Sequence, residues 1–173
     1  MSDEDVYFTV SGKTVYYTIA GPLRLGAIIA GASEEQLDLL FDFGYALGTC
    51  FQIKDDILDL TSDFSGQKKQ SLNDIYEGKR TIMLAHLMRT VNKQELDYIN
   101  SVLQKQRNFK TQKEVEEIKR LMEFYGSINY AKEKAELFAG KALEILNGMD
   151  FFVNTKWKDL FIEMIEFILH RTK

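Results

Sequence analysis

Disulfides and cysteine-built metal centres are excluded at once, because Cys50 is the only cysteine among 173 residues. Histidine is nearly as scarce, and His86 and His170 stand too far apart to read as a local ligand pair. A basic surplus is missing too. Lys and Arg total 22 against 26 Asp and Glu, a net charge of −4, which disfavours nucleic-acid binding as the main task. No apolar run approaches the ~18 residues of a membrane span. The start, Met1-Ser2-Asp3-Glu4-Asp5, is acidic where a signal peptide would be basic. Proline occurs once, at Pro22, which leaves long helices free to run. Repeats and low-complexity tracts are absent, which removes solenoids. A globular, cytoplasmic protein is the expectation. With 45% hydrophobic and 12% aromatic residues, the chain can bury a core rather than stay disordered.

What is present is helical periodicity. From 34 to 60, Leu37, Leu40, Phe41, Gly44, Leu47, Cys50, Phe51, Ile57 and Leu58 recur mostly at spacings of three and four. Ser33 before Glu34, Glu35 and Gln36 is a capping box that sets the helix start near 33. A second helical segment is expected from Lys13 to Ala32, bent at Gly21-Pro22. Residues 62 to 80 have little periodicity and read as a loop. Thr81 to Thr90 and Lys93 to Lys105 give two short helices. One long helix opens at Thr111 with Val115, Ile118, Met122, Tyr125 and Ile128 on one face. It continues through Ala131, Ala135, Phe138, Ala142 and Ile145 to a C-cap at Asn147-Gly148. A last helix spans about Lys156 to His170, and period-two strand patterns are missing. The predicted fold class is all-α.

One face of the 34 to 60 helix does not suit an ordinary core. Gly44, Gly48, Gln52, Asp55, Asp56 and Asp59 gather there, with Asp56 about 100° aside from Asp55. The glycines are expected to leave room where side chains would stand. Neighbouring carboxylates repel by up to roughly 4 kcal/mol at about 4 Å and an effective dielectric near ~20, so a cation should sit among them. The alternative is an exposed helix end, but negative charge at a helix C-terminus opposes the helix dipole. A calcium loop starting at Asp59 fails, since Phe64 takes the glycine position and Gln70 the final glutamate position. Zinc lacks nearby His or Cys. Magnesium fits, because it takes hard oxygen ligands, often one or two carboxylates plus substrate phosphates. Lys68, Lys69, Lys79 and Arg80 follow within about 25 residues, and Lys13-Thr14 adds a cation and a hydroxyl. Each taken alone suits a solvated surface. Together with the carboxylates they compose a polyphosphate site.

The stretch Phe51-Gln52-Ile53-Lys54-Asp55-Asp56-Ile57-Leu58-Asp59 resembles the second aspartate-rich motif of the trans-isoprenyl diphosphate synthases, or polyprenyl synthetases. Lys13-Thr14 resembles the Lys-Thr pair of that family, and Gly26-Ala27 with Ala30-Gly31-Ala32 its Gly-Ala segments. Asp74-Ile75-Tyr76-Glu77-Gly78-Lys79-Arg80-Thr81 resembles its Asp-Leu-x-Glu-Gly-Lys-x-Thr stretch, and the end from Phe167 to Lys173 its basic C-terminus. The resemblance implies a helical bundle of the isoprenoid synthase type, of which 1–173 is the C-terminal portion. It also implies a prenyltransferase that condenses isopentenyl diphosphate with an allylic diphosphate by Mg2+-assisted ionisation. On that pattern Asp55, Asp56 and Asp59 hold the metal, and Lys13, Lys69 and Lys79 contact the diphosphate. Gln52 and Thr14 carry catalytic dipoles beside the cation and the pyrophosphate, while Gly44 and Gly48 leave room near the reacting carbons.

Two departures follow. The loop reads Gly66-Gln67-Lys68-Lys69-Gln70-Ser71 where the family usually has Gly-Lys-Pro-x-Gly, so Lys68 rivals Lys69. The family's first aspartate-rich motif and its basic cluster for isopentenyl diphosphate have no counterpart here. A fragment or one subunit of a split enzyme is therefore expected, inactive alone. It would form a homo-oligomer or a heteromer with a chain carrying the first motif. The other readings are a regulatory subunit of a heteromeric synthase and a terpene cyclase-like diphosphate enzyme. Lys79 itself is expected to be an exposed charge with little bearing on stability.

Overall fold

Local capping chemistry sets where several helices of this chain begin. The computed structural model describes residues 1–62, 72–152 and 155–172, and no strand occurs among them. Ser2 Oγ accepts the Asp5 N–H at 3.2 Å and Asp5 accepts the Ser2 N–H at 2.8 Å, which opens α1 at Asp3–Val10. Helix α3, Glu34–Thr61, starts on the expected box: Gln36 N–H donates to Ser33 Oγ at 3.3 Å and Ser33 N–H to Gln36 Oε1 at 2.9 Å. Thr81 caps α5, Ile82–Thr90, and Asn92 with Glu95 caps α6, Lys93–Leu103. Thr111 with Glu114 caps α7, Gln112–Phe124. Helices α8, Ser127–Gly148, and α9, Thr155–His170, complete the set.

Three expectations need correction. The segment expected from Lys13 is helical without a break from Asp3 to Ile29, a rod that starts earlier than expected and changes helix type at Gly21. It runs from α1 into a π-helix at Ser11–Ala20 and then into α2 at Gly21–Ile29. The physical reason lies in the proline. In an α-helix its ring presses on the carbonyl four residues back, and widening the preceding turns relieves that contact. The Gly21 N–H accordingly bonds the Tyr16 carbonyl, five residues back. A Cβ on Gly21 would stand 2.3 Å from that same oxygen, so only glycine fits.

The loop expected over 62 to 80 contains a short helix, α4, at Asn73–Glu77. The single helix expected from Thr111 is cut in two at Gly126, whose φ of 71° is left-handed. Helical spacing of apolar residues runs on through Tyr125 and Ile128, which hides the break in the sequence.

The chain divides into two compact units. The first comprises Met1–Val6, Asp55–Lys132 and Thr172, with a core of Ile57, Leu60, Ile82, Met83, Leu87, Ile99 and Ile118. The second comprises Tyr7–Lys54 and Glu133–Arg171, built on Val15, Phe43, Leu47, Ile53, Phe138 and Leu146. Within the second unit the rod lies against α3. Val10 at the end of α1 and Val15 and Ala20 of the π-helix are all buried.

Candidate functional site

The carboxylate end of α3 lies in the first unit. Asp56 and Asp59 are buried, at 3% and 5% exposure, and Asp55 is half-buried. A buried carboxylate needs a charged or hydrogen-bonding partner. Among the partners of Asp56 is Lys79, whose Nζ lies 2.7 Å from Asp56 Oδ1 and 3.0 Å from Asp74 Oδ2. Asp59 Oδ2 accepts the Asp74 N–H at 2.9 Å. One lysine and three aspartates from α3 and α4 are thereby tied into a single network. Burial opposes the charge on Lys79, but the Asp56 carboxylate, helped by Asp74, outweighs it and raises the lysine above its ordinary value.

The short helix α4 aims the lysine. Gly78, left-handed at φ 68°, ends α4 by donating its N–H to the Ile75 carbonyl at 3.1 Å. The Lys79 N–H then reaches the Asp74 carbonyl at 2.9 Å, a Schellman closure. At the other end Leu72 is itself left-handed (φ 62°), strained for a residue with a Cβ, and its N–H is held by the Asp59 carbonyl at 3.1 Å. The chain thus leaves α3 and is folded back so that Asp74 and Lys79 face its acidic end.

In the second unit the structure joins Thr14 and Gln52, with the threonine Oγ1 donating to Gln52 Oε1 at 2.7 Å. Lys13 is exposed on the π-helix. Lys68 and Lys69 lie outside the described residues. The glycines overturn the expectation of open space. A Cβ on Gly44 would stand 2.7 Å from Ala20 Cα, and one on Gly48 would stand 3.0 Å from Val15 Cγ2. Gly44 and Gly48 are where the rod's backbone crosses α3, and the room they leave is filled.

Lys79 is likewise less exposed than expected. Its side chain is 36% exposed and serves as counter-charge to a buried carboxylate. Asp74, quoted in the motif without a role, belongs to the same network. The spacing of Asp74 and Lys79, with Gly78 between, was its available signal.

Magnesium can be tested against these donors. Among the described residues no three His, Cys, Asp or Glu side chains close on one point as an all-protein cage would. Magnesium does not require one. It is held by one or two carboxylates with water and substrate phosphates supplying the rest, and oxygen-only donors at this helix end suit it.

A family model described as polyprenyl synthetase matches residues 2–122. The chain belongs to the polyprenyl synthetase family. It is 32% identical over 130 residues to an octaprenyl diphosphate synthase of Haemophilus influenzae, covering 75% of this chain and 38% of that protein. It is 30% identical over 170 residues to a geranylgeranyl diphosphate synthase of Sulfolobus acidocaldarius, covering 98% of this chain and 50% of that one. The fold matches a crystal structure of geranylgeranyl pyrophosphate synthetase from Pyrococcus horikoshii with a TM-score of 0.80 and 29% identity. That match covers 99% of this chain and 50% of the other. This polyprenyl synthetase chain therefore spans about half the length of the relatives it matches, or less. The all-α fold is that of the isoprenyl diphosphate synthases. Among the described residues no helix is long and apolar enough to cross a membrane.

Proposed function

We propose that this chain is the C-terminal portion, residues 1–173, of a polyprenyl synthetase domain and takes part in head-to-tail prenyl transfer. The observation that carries the reading is the part-buried Asp56–Lys79–Asp74 network beside Asp59 at the end of α3. The allylic substrate loses pyrophosphate as its C–O bond breaks with both electrons leaving on oxygen. The double bond of isopentenyl diphosphate supplies the pair for the new C–C bond, and a proton is then lost to restore an alkene. Asp55, Asp56 and Asp59 would hold Mg2+ shared with the allylic diphosphate. The metal, when bound, supplies positive charge to the departing pyrophosphate.

The chain's own residues do the rest. Lys13, Lys69 and Lys79 bind the diphosphate oxygens. Lys79 is already held as an ammonium by Asp56 and Asp74, ready to face a stronger anion. Thr14 and Gln52, joined at 2.7 Å, are dipoles for the cation and the leaving group. Such preorganised charge is where most of the rate enhancement of a reaction of this type originates. A chain bearing the other aspartate-rich motif is the proposed partner.

Calorimetric titration with magnesium and inorganic pyrophosphate tests the reading. Binding should require both together, vanish on chelation of the metal, and weaken at least tenfold in Asp55→Ala. Equal binding by Asp55→Ala would remove that residue from the site, and no binding by the unaltered chain would remove the reading itself.

A further inference from the structure

Helix α4 has five residues, far below the ~12 at which an isolated helix becomes even marginally stable in water. Its N-cap residue, Leu72, offers no side-chain hydrogen bond, and at that end Asp59 of α3 reaches in, accepting the Asp74 N–H. Yet it presents Asp74 and, through the turn at Gly78, Lys79. Something outside α4 must fix it.

Beyond Asp59, the fixing groups lie on the segment between α6 and α7. Arg107 Nη1 donates to Asn73 Oδ1 at 2.8 Å and pairs with Glu77, so one guanidinium grips both ends of α4. The same group lies 5.6 Å from the centre of the Tyr76 ring, over its face. Lys110 is buried, at 7% exposure, and its Nζ donates to the carbonyls of Ile75 at 3.1 Å and Tyr76 at 2.6 Å. Those carbonyls belong to the last turn of α4, where an ammonium is favourable and orphan acceptors need partners. Burial of a charge served chiefly by two carbonyls opposes protonation and pulls Lys110 below its ordinary value, with Glu77 partly opposing this. The segment is itself anchored, since Lys105 pairs with Glu114, which also accepts the Thr111 N–H at 2.9 Å in the α7 cap.

We infer that Arg107 and Lys110 are positioning residues that set Lys79 and Asp74 for diphosphate by clamping α4 from outside. The inference rests on the proposed role of Lys79, and its test separates the two.

The first measurement is amide hydrogen exchange, which needs no ligand. In Lys110→Met and in Arg107→Ala, the Gly78 and Lys79 amides should exchange at least tenfold faster, while those of Ile118 and Leu121 in α7 stay as they were. Arg107→Ala alters only a partly exposed side chain and keeps the test alive if Lys110→Met does not fold. The second measurement is magnesium–pyrophosphate affinity. Each variant should lose about tenfold, Arg107→Lys should recover most of that loss, and neither variant should lose more once Lys79→Gln is also present. A structural contribution acting independently of Lys79 would instead add in the double variant. Additive losses, or unchanged exchange at Gly78 and Lys79, would overturn the clamp. Absence of binding in the unaltered chain, with exchange changed as expected, would overturn the role of Lys79 and leave the clamp standing.

Discussion

Lys79 shows how a residue can belong to chemistry and to stability together. Removing one partner of a buried ion pair costs about 3–5 kcal/mol, because the other charge is stranded. The lysine here is 36% exposed, and solvent screening reduces its share, so roughly 1–3 kcal/mol is expected for Lys79→Ala. Urea denaturation checks this. A midpoint equal to that of the unaltered chain would mean that Asp56 does not depend on the lysine. The sequence showed the residue and its type but not this second duty, because nothing in Glu77-Gly78-Lys79-Arg80 says that the chain folds back onto α3. The same limit applied to Asp74, whose partners Asp59 and Lys79 lie 15 and five residues away.

At the scale of elements, the contact between the rod and α3 is the best test of the packing. Ala20 lies against Gly44 and Val15 against Gly48, and Thr14 bonds Gln52 further along. Gly44→Ala would gain up to about 1 kcal/mol in helix propensity. The added methyl would meet Ala20 backbone at 2.7 Å, and overpacking of this kind costs about 1–3 kcal/mol. The second effect wins, and a net loss of roughly 1–2 kcal/mol should appear as a lower melting temperature. A gain would show that the two helices part easily. Helix α3 and the start of α5 were legible because capping residues and apolar spacing agree there. The π-helix was not, since it buries only Val15 and Ala20, too few to set its period apart from that of an α-helix. Nor was α4, which is too short for any periodicity to register and is held by Arg107 and Lys110, whose partners on it lie 30 to 35 positions back.

At the scale of the whole molecule, the second unit presents apolar side chains to water along its first rod. Phe8, Tyr17 and Ile29 are 83%, 85% and 80% exposed, and Leu25 and Ile28 are more than half exposed. Single exposed apolar residues are ordinary, but a series of this size along one element marks an interaction surface. Self-association of the purified 20.0 kDa chain is the expected outcome in sedimentation velocity. Little turnover is expected of a chain that spans about half the length of its relatives or less. The chain carries one aspartate-rich motif, and positioning of a second substrate can contribute roughly 7–11 kcal/mol to a rate. A radiolabelled condensation assay with magnesium and several allylic primers should find little product. A monodisperse monomer turning over at about 1 per second or faster would contradict both expectations.

Cys50 sits in the middle of α3, wholly screened from solvent, and burial pushes its thiol up to about 11 although Lys54 and Arg171 pull the other way. It can therefore act as a clock. Only the thiolate reacts with an alkylating reagent, so at neutral pH modification must wait for the helix to open. The labelling rate then reads the free energy of that opening, and a diphosphate that tightens the fold should slow it in proportion. The same thiol sets an alkaline limit. Because its folded value lies above the unfolded one, its contribution is intact below about pH 9 and is lost as the pH climbs toward 11. At about 1.4 kcal/mol per unit, that loss reaches roughly 2–3 kcal/mol, and a Cys50→Ser or Cys50→Ala chain should not show it.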